Sequence, residues 1–232
     1  MAKRKLLTAS VVGISLVTAA AAAAPPVEWD GLQRVSSKRM DLVYLQPGAD
    51  FRAYTKVIVD PTEVSFQKNW RRDYNSTTVG LGSRVSEADI QKAISEGVTA
   101  ASDIFAKAWT KGGYAVVTEP GPDVLRVKTA IANISVTSPD RQSIGRSYTF
   151  SEDAGRATFV IEARDSMTGA LLGRAVDQKI VGDDTRASWR TSVSNRADFR
   201  DVVERWAANA VRGLTELKGL AAQQPAPAKV SQ

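Results

Sequence analysis

The sequence has 232 residues and a formal net charge of +6, and it contains neither cysteine nor histidine. These absences exclude disulfides, a Ser-His-Asp triad, a Cys-His nucleophile and a zinc site built from His and Cys. Carboxylates are the acid-base groups that remain, and the sequence predicts no cofactor and no metal site.

The first 24 residues have the pattern of a secretory signal peptide. Residues 3–5 are Lys-Arg-Lys, the apolar run Leu6–Val17 follows, and small residues at 19–24 allow cleavage. A retained membrane anchor is the alternative, but the alanine-rich second half of the run and Pro25-Pro26 disfavour it. We predict an exported protein, periplasmic or secreted, without a lipid anchor because it has no cysteine, and without a transmembrane span once the signal is removed.

The charge of the exported form is close to balance. Removal of the three cations at residues 3–5 from the total of 31 leaves 28 Lys and Arg against 25 Asp and Glu, a net charge of +3. This mild excess does not indicate a nucleic-acid partner, although it suits an anionic envelope surface.

Residues 25–219 are predicted to form one α+β domain, followed by a disordered Pro/Ala-rich tail at 220–232. Strands are expected at Asp41–Leu45 and Lys56–Asp60, and a long loop at Gln67–Val85. Ser86 and Asp89 then have the spacing of a capping box and open the first helix, which Gly112-Gly113 ends. Its apolar stripe comprises Ile90, Ile94, Val98, Ala101, Phe105 and Ala108.

The second half of the chain predicts strands followed by a helix. Strands are expected at Tyr114–Thr118 and Asp123–Val136, with a short one at Arg146–Phe150. Phe159–Ile180 is a predicted β-hairpin that turns at Asp165–Gly169, where Gly169 can adopt the positive φ of a tight reversal. Asn195 is the predicted cap of the last helix, whose apolar stripe is Phe199, Val203, Trp206, Ala210, Leu214 and Leu217.

This order predicts an α+β fold: a single mixed, mostly antiparallel sheet with two amphipathic helices packed on one face. The strand before the first helix and the strand after it are expected to pair in parallel through a right-handed crossover. We also expect Ile94 and Trp206 to be buried against the sheet.

Six segments of the sequence carry a family resemblance: Trp29–Leu32, Tyr54–Pro61, Gly113–Val117, Gly121–Leu125, Ala163–Leu172 and Ser194–Phe199. They resemble the bacterial exported proteins grouped as domain of unknown function 3313, and the likeness covers nearly all of the chain after the signal. Many members of that family look like lipoproteins, and this chain departs from them in having no cysteine. The resemblance implies no activity.

Two segments combine aromatic and basic residues and each leads into a helix. They contribute Trp70, Arg71 and Arg72 before the first helix, and Trp189 and Arg190 before the last. If the helices run parallel, these side chains meet at one end of the domain and form an anionic or glycan-binding surface. The alternative is that both tryptophans pack inward and close the ends of the core.

The leading functional prediction is a non-catalytic binding or assembly-accessory module of the bacterial envelope, whose partner is an envelope protein or an anionic glycan. The alternative is a carboxylate-dependent hydrolase acting on envelope glycan, which needs two carboxylates about 5–10 Å apart in a cleft. The adjacent pairs Glu152-Asp153 and Asp183-Asp184 do not meet that requirement by adjacency alone and are interpreted as solvated loop acids. No catalytic residue is therefore predicted.

Overall fold

The computed structural model describes residues 25–78, 84–136, 149–151, 155–181, 188–190 and 192–223. The helices within these ranges are α1 (Trp70–Thr77), α2 (Glu87–Lys111) and α3 (Ser192–Gln223). The strands are β1 (Glu28–Trp29), β2 (Leu32–Val35), β3 (Leu42–Leu45), β4 (Lys56–Val59), β5 (Glu63–Phe66), β6 (Ala115–Val116), β7 (Val124–Val136), β8 (Thr149–Ser151), β9 (Gly155–Asp165), β10 (Leu171–Val181) and β11 (Ser188–Arg190).

Nine of these strands form one mixed sheet in the order β1-β2-β3-β10-β9-β7-β4-β6, with β5 also paired to β7. The pairs of β4 with β6, β4 with β7 and β5 with β7 are parallel, and the others are antiparallel. Both long helices pack on the same face of this sheet, which confirms the predicted fold class and the parallel pairing across the first helix. We call the opposite side of the sheet the open face. β8 and β11 pair separately.

The hairpin formed by β9 and β10 lies in the middle of the sheet, as the alternation of its residues predicted. One carboxylate oxygen of Asp165 accepts the backbone N–H groups of Met167 (3.1 Å) and Thr168 (2.7 Å), and Gly169 has a φ of 73°. The other oxygen accepts the hydroxyl of Tyr54 at 2.8 Å. Burial, followed by this bond, raises the pKa of Tyr54 to about 12.

Helix α2 begins at the predicted capping box. The side chain of Ser86 accepts the backbone N–H of Asp89 at 3.1 Å, and the carboxylate of Asp89 accepts the backbone N–H of Ser86 at 2.8 Å. Gly112 follows its last turn, where a Cβ would lie 2.3 Å from Cγ1 of Val211 in α3. Glycine at this position therefore allows the end of α2 to approach α3 closely.

The core between the helices and the sheet is centred on a stack of aromatic rings. Phe159 of β9 lies between Phe105 of α2 (5.3 Å between centroids) and Trp206 of α3 (5.2 Å). Trp206 is only 1% exposed, as predicted. Ile94 is half-buried rather than buried, because its neighbours Ile90, Ala93 and Gly97 on the first half of α2 line a cavity instead of a closed core.

The predicted loop at Gln67–Val85 contains helix α1, which the sequence analysis did not predict. Its composition is poor in strong helix formers, so propensity gave no signal. The helix is stabilised by ring packing, because Trp70 lies between Phe66 (5.0 Å) and Tyr74 (5.5 Å), and Tyr74 is four residues later on the same face. α3 also begins at Ser192, three residues before the predicted cap Asn195.

Several predictions lie outside the described residues. They concern the signal peptide at 1–24, the loop at 137–148, the acidic pairs Glu152-Asp153 and Asp183-Asp184, and residues 224–232 of the tail. None of the helices in the described ranges combines the length and the apolar content needed to cross a membrane.

Candidate functional site

An apolar cleft of about 790 Å³ lies between the second half of α3 and the sheet. It exists because the residues that face each other there are small: Ala163, Gly173 and Ala175 on the sheet, and Ala210 and Gly213 on α3. Larger apolar side chains form its walls, namely Val43, Leu45, Phe51, Leu125, Val127, Ile161, Leu214 and Leu217. Clefts of this size and character commonly hold small ligands.

Gly213 lies in the middle of the helix stripe that faces the cleft. Ala210, Gly213 and Leu217 follow at steps of three and four and all line it. A Cβ added to Gly213 would meet no heavy atom within 4 Å. The cleft therefore has room for a side chain at this position.

The segment Ser36–Met40 closes one side of the cleft and is fastened to α3. Arg39 forms a two-bond ion pair with Glu216, one bond of which, from Nε to Oε1, is 3.0 Å long. The amide of Asn209 also donates to the carbonyl of Arg39 at 3.2 Å. The hydrogen bond from Arg39 lowers the pKa of Glu216, and Arg212 and Lys38 contribute to the same shift. Arg39 and Glu216 balance each other, so Lys38, which also lines this side of the cleft, leaves one positive charge in excess at the mouth.

The indole N–H of Trp109 is a polar group inside this apolar site. The side chain lines the cleft and is 2% exposed, and its N–H has no hydrogen-bond acceptor in the described part of the chain. Leaving a buried donor without a partner costs about 1–3 kcal/mol. An acceptor atom brought in by a bound molecule would remove this cost.

The structure places the predicted aromatic-basic residues in two different settings. Trp70 is buried, 8% exposed, and lines a second cavity of about 660 Å³ between α2 and α3. Arg71 and Arg72 are exposed and pair with Glu87 (3.3 Å) and Asp73 (3.0 Å).

The other two predicted residues, Trp189 and Arg190, lie in β11, opposite Phe150 and Thr149 of β8, and their side chains are outside the description. The shared surface of Trp70, Arg71, Arg72, Trp189 and Arg190 therefore stays a prediction.

Asp60 and Glu162 are the described carboxylates considered for acid-base chemistry, and arginine side chains form ion pairs with both of them. Asp60 forms a two-bond ion pair with Arg126 (2.8 and 2.9 Å), and Glu162 contacts both Arg164 and Arg174 (2.8 Å each). Burial of Glu162 acts to raise its pKa, but the bonds from the two arginines outweigh it and the pKa is lowered. Within the described ranges no three His, Cys, Asp or Glu residues are grouped so that they could hold a metal ion.

Sequence reasoning did not find the cleft. The large residues that line it are ordinary core residues. The small residues that leave the space open come from strands and a helix that are far apart in the chain. The one local signal was Gly213, a glycine inside a strongly periodic helix, where it costs about 1 kcal/mol relative to alanine and therefore suggests a packing or functional reason.

A family model described as "Protein of unknown function (DUF3313)" matches residues 22–210 of the chain. No curated protein matches the chain. Among solved structures, the chain is similar to the PelC dodecamer from Paraburkholderia phytofirmans, with 17% identity, a TM-score of 0.33, and coverage of 74% of this chain and 95% of that one. It is also similar to protein XCC0632 from Xanthomonas campestris, with 11% identity, a TM-score of 0.42, and coverage of 78% and 94%. At these TM-scores both likenesses are partial.

Proposed function

The chain belongs to the DUF3313 family of proteins of unknown function, and we propose that it is an exported, non-catalytic binding module of the bacterial envelope. In this proposal the cleft between α3 and the sheet holds the hydrocarbon part of an amphipathic molecule. The observation that carries the proposal is the apolar cleft of about 790 Å³ with a cationic mouth.

The lining of the cleft supports an apolar ligand. Each CH₂ group moved from water into such a lining contributes about 0.8 kcal/mol, so a chain of eight or more carbons gains a free energy typical of specific binding. The small residues that face each other leave a continuous space between helix and sheet, which suits a flexible chain.

The mouth of the cleft supports an anionic head group on that ligand. Lys38 and Arg39 line the mouth beside Glu216, so one positive charge is in excess there. Lys38 forms no ion pair among the described residues, and its ammonium can pair with a carboxylate or phosphate as a point charge.

Fluorescence titration with dansyl-undecanoic acid tests the proposal. We expect a saturable increase in dansyl emission, and weaker binding of the dansyl-undecyl amine because its head group is cationic. Replacement of Gly213 by Leu places four carbons in the cleft and should weaken binding by more than about tenfold, since roughly half of the lining becomes inaccessible to the probe. Gly213→Ala should have a smaller effect.

Thr99→Leu is the matched control, because it adds a leucine to the exposed surface of α2, outside both cavities. It should leave binding unchanged. The melting temperature of Gly213→Leu should not fall by more than a few degrees, since glycine is the weaker helix former. Equal binding by the wild type and Gly213→Leu, with both folded, would show that the cleft is not the site.

A further inference from the structure

The open face of the sheet carries most of the excess positive charge of the exported chain. Six cationic side chains project from it at positions that alternate with core residues: Arg34, Arg126, Lys128, Arg156, Arg164 and Arg174. Four carboxylates share the face, namely Asp30, Asp60, Glu63 and Glu162. α2 and α3 carry eight cations and eight carboxylates between them, so the helical side is electrically balanced.

Large apolar side chains are also exposed on the open face. Val27 is 79% exposed and pairs opposite Arg34, and Trp29 (38%) and Ile180 (45%) lie on the same side of the sheet. Between the basic rows runs a half-buried apolar row formed by Leu42, Val176 and Val160, which are direct neighbours across three strands. Exposed apolar patches rimmed by polar residues mark interaction sites.

The exposed tryptophan is held in a fixed position. The guanidinium of Arg174 lies 4.2 Å from the centre of the Trp29 ring, and the ring of Tyr44 meets it edge-on at 5.6 Å. Arg174 itself is fixed by Asp30 (2.7 Å) and Glu162 (2.8 Å). This arrangement keeps the indole at the surface without the loss of side-chain entropy that a mobile side chain would incur on binding.

The chain enters the fold on this same face. The hydroxyl of Tyr44 donates to the carbonyl of Pro26 at 2.9 Å, and the side chain of Tyr44 projects on the open-face side next to Arg174. The apolar run Leu6–Val17 therefore precedes a point on the open face.

From these observations we propose that the open face docks on the surface of an anionic phospholipid bilayer. The cations are attracted to the lipid phosphates, and Trp29 is suited to the head-group region, where tryptophan is enriched because its ring is apolar and its N–H is polar. The apolar side chains Val27 and Ile180 enter the same interface. Binding of this kind is peripheral and needs no helix that crosses the membrane.

Sedimentation with vesicles tests the proposal on the protein purified after expression of the whole 232-residue sequence. We expect binding to vesicles of phosphatidylglycerol mixed with phosphatidylcholine, weaker binding as salt is raised, and little binding to pure phosphatidylcholine. Each cation near such a surface contributes about a fivefold gain in binding. The double variant Arg34→Glu, Lys128→Glu should therefore bind more than about twentyfold more weakly.

The matched control reverses one arginine and one lysine on the helical side, Arg205→Glu with Lys111→Glu. The four residues replaced in the two double variants are all exposed and make no ion pair within the described part of the chain: Arg34, Lys128, Arg205 and Lys111. The control should bind vesicles as the wild type does. In a Trp189→Phe background, brominated lipid should quench the tryptophan emission, and the further substitution Trp29→Phe should remove most of this quenching because Trp70, Trp109 and Trp206 are buried.

Three results would overturn the proposal: equal binding by both double variants, equal binding to neutral vesicles, or quenching that persists after Trp29→Phe in the Trp189→Phe background. Binding to a soluble anionic polysaccharide such as polygalacturonate without binding to vesicles would overturn it as well and would indicate a glycan partner. None of these results depends on whether the cleft holds a ligand.

Discussion

At the scale of single residues, two buried tryptophans differ in how their indole N–H groups are satisfied. Trp206 donates to the carboxylate of Asp177 at 2.8 Å, and the other oxygen of that carboxylate accepts the backbone N–H of Asp41 at 3.1 Å. Lys179 also contacts Asp177 at 3.1 Å, so this buried charge has a full set of donors. Trp109 has no such acceptor among the described residues, which is why we connect it with ligand binding.

We expect Asp177→Leu to lower the free energy of unfolding by about 2–5 kcal/mol, because the Trp206 and Asp41 N–H groups then lose their acceptor inside the core. Urea denaturation measures the change. In a Trp206→Phe background the same substitution should cost less by about 0.5–3 kcal/mol, since one of the two orphaned donors is gone. Strictly additive losses would contradict the role given to the indole bond.

At the scale of elements, α2 shows how a local signal fixes the start of a helix. Ser86 and Asp89 exchange hydrogen bonds with each other's backbone, so two of the four unpaired N–H groups of the first turn are satisfied. The hydroxyl of Ser86 also donates to the carboxylate of Asp89 at 2.7 Å, and this bond, followed by the one from the Ser86 backbone, lowers the pKa of Asp89. The helix therefore begins at a defined residue even though its first half packs loosely.

Serine-to-alanine substitutions at two places in α2 should have opposite effects. Ser86→Ala removes the cap and should lower the free energy of unfolding by about 0.5–2 kcal/mol. Ser95→Ala, inside the helix, should raise it by roughly 0.5 kcal/mol because alanine is the better helix former. Thermal or urea unfolding of the two variants checks this, and a shift in the same direction for both would contradict it.

Most elements that the sequence predicted carry a pattern that continues over many residues, and the four-residue strands β3 and β4 were predicted from their apolar, β-rich composition. β7, β9 and β10 alternate over eleven or more residues, and α2 and α3 carry stripes at steps of three and four. α1 has only eight residues, and its stability depends on contact between Trp70 and Phe66, which no local pattern shows. Short elements held by tertiary contacts are therefore the part of the fold that sequence reasoning missed.

At the scale of the whole molecule, the ionisable groups favour stability over a wide neutral range. The sequence has no histidine, so no side chain with an ordinary pKa titrates between about pH 5.5 and 7.5. Hydrogen bonds from Arg52 lower the pKa of Asp50 to about 2, and those from the Thr168 backbone and hydroxyl lower that of Asp165. Hydrogen bonds from Thr55 and Lys56 lower that of Asp123.

A carboxylate whose pKa is lower in the folded state stabilises the fold above its unfolded pKa of about 4, and this contribution is lost as pH falls through the folded value. We therefore expect a constant melting temperature from about pH 5.5 to 7.5 and a progressive fall below about pH 4. Calorimetry at a series of pH values measures it. A transition inside the neutral range, or greater stability in acid, would contradict the prediction.

The candidate site could not be predicted at this scale from sequence alone. Gly173 and Gly213 both line the cleft although they are far apart in the chain, and the local signal at Gly213 does not show which strand residues it meets. The side chains that lie on the open face can be identified from the alternation along each strand once the strand register is known. The register between β7 and β9, however, is set by pairing between residues distant in sequence. The aromatic-basic segments were visible in the sequence because composition marks them locally.

The position of β3 in the sheet has a consequence for the order in which the chain folds. Besides its neighbour β2 it pairs with β10, so residues 42–45 meet residues 173–176, and β4 pairs with β6 and β7, which follow it only after α2. Pairings this distant in sequence form slowly, because a long loop must close before any contact is gained. A nascent chain that has not yet reached residue 181 has no complete sheet to close. The core between the helices and the sheet can therefore close only late in synthesis, after most of the chain has been made.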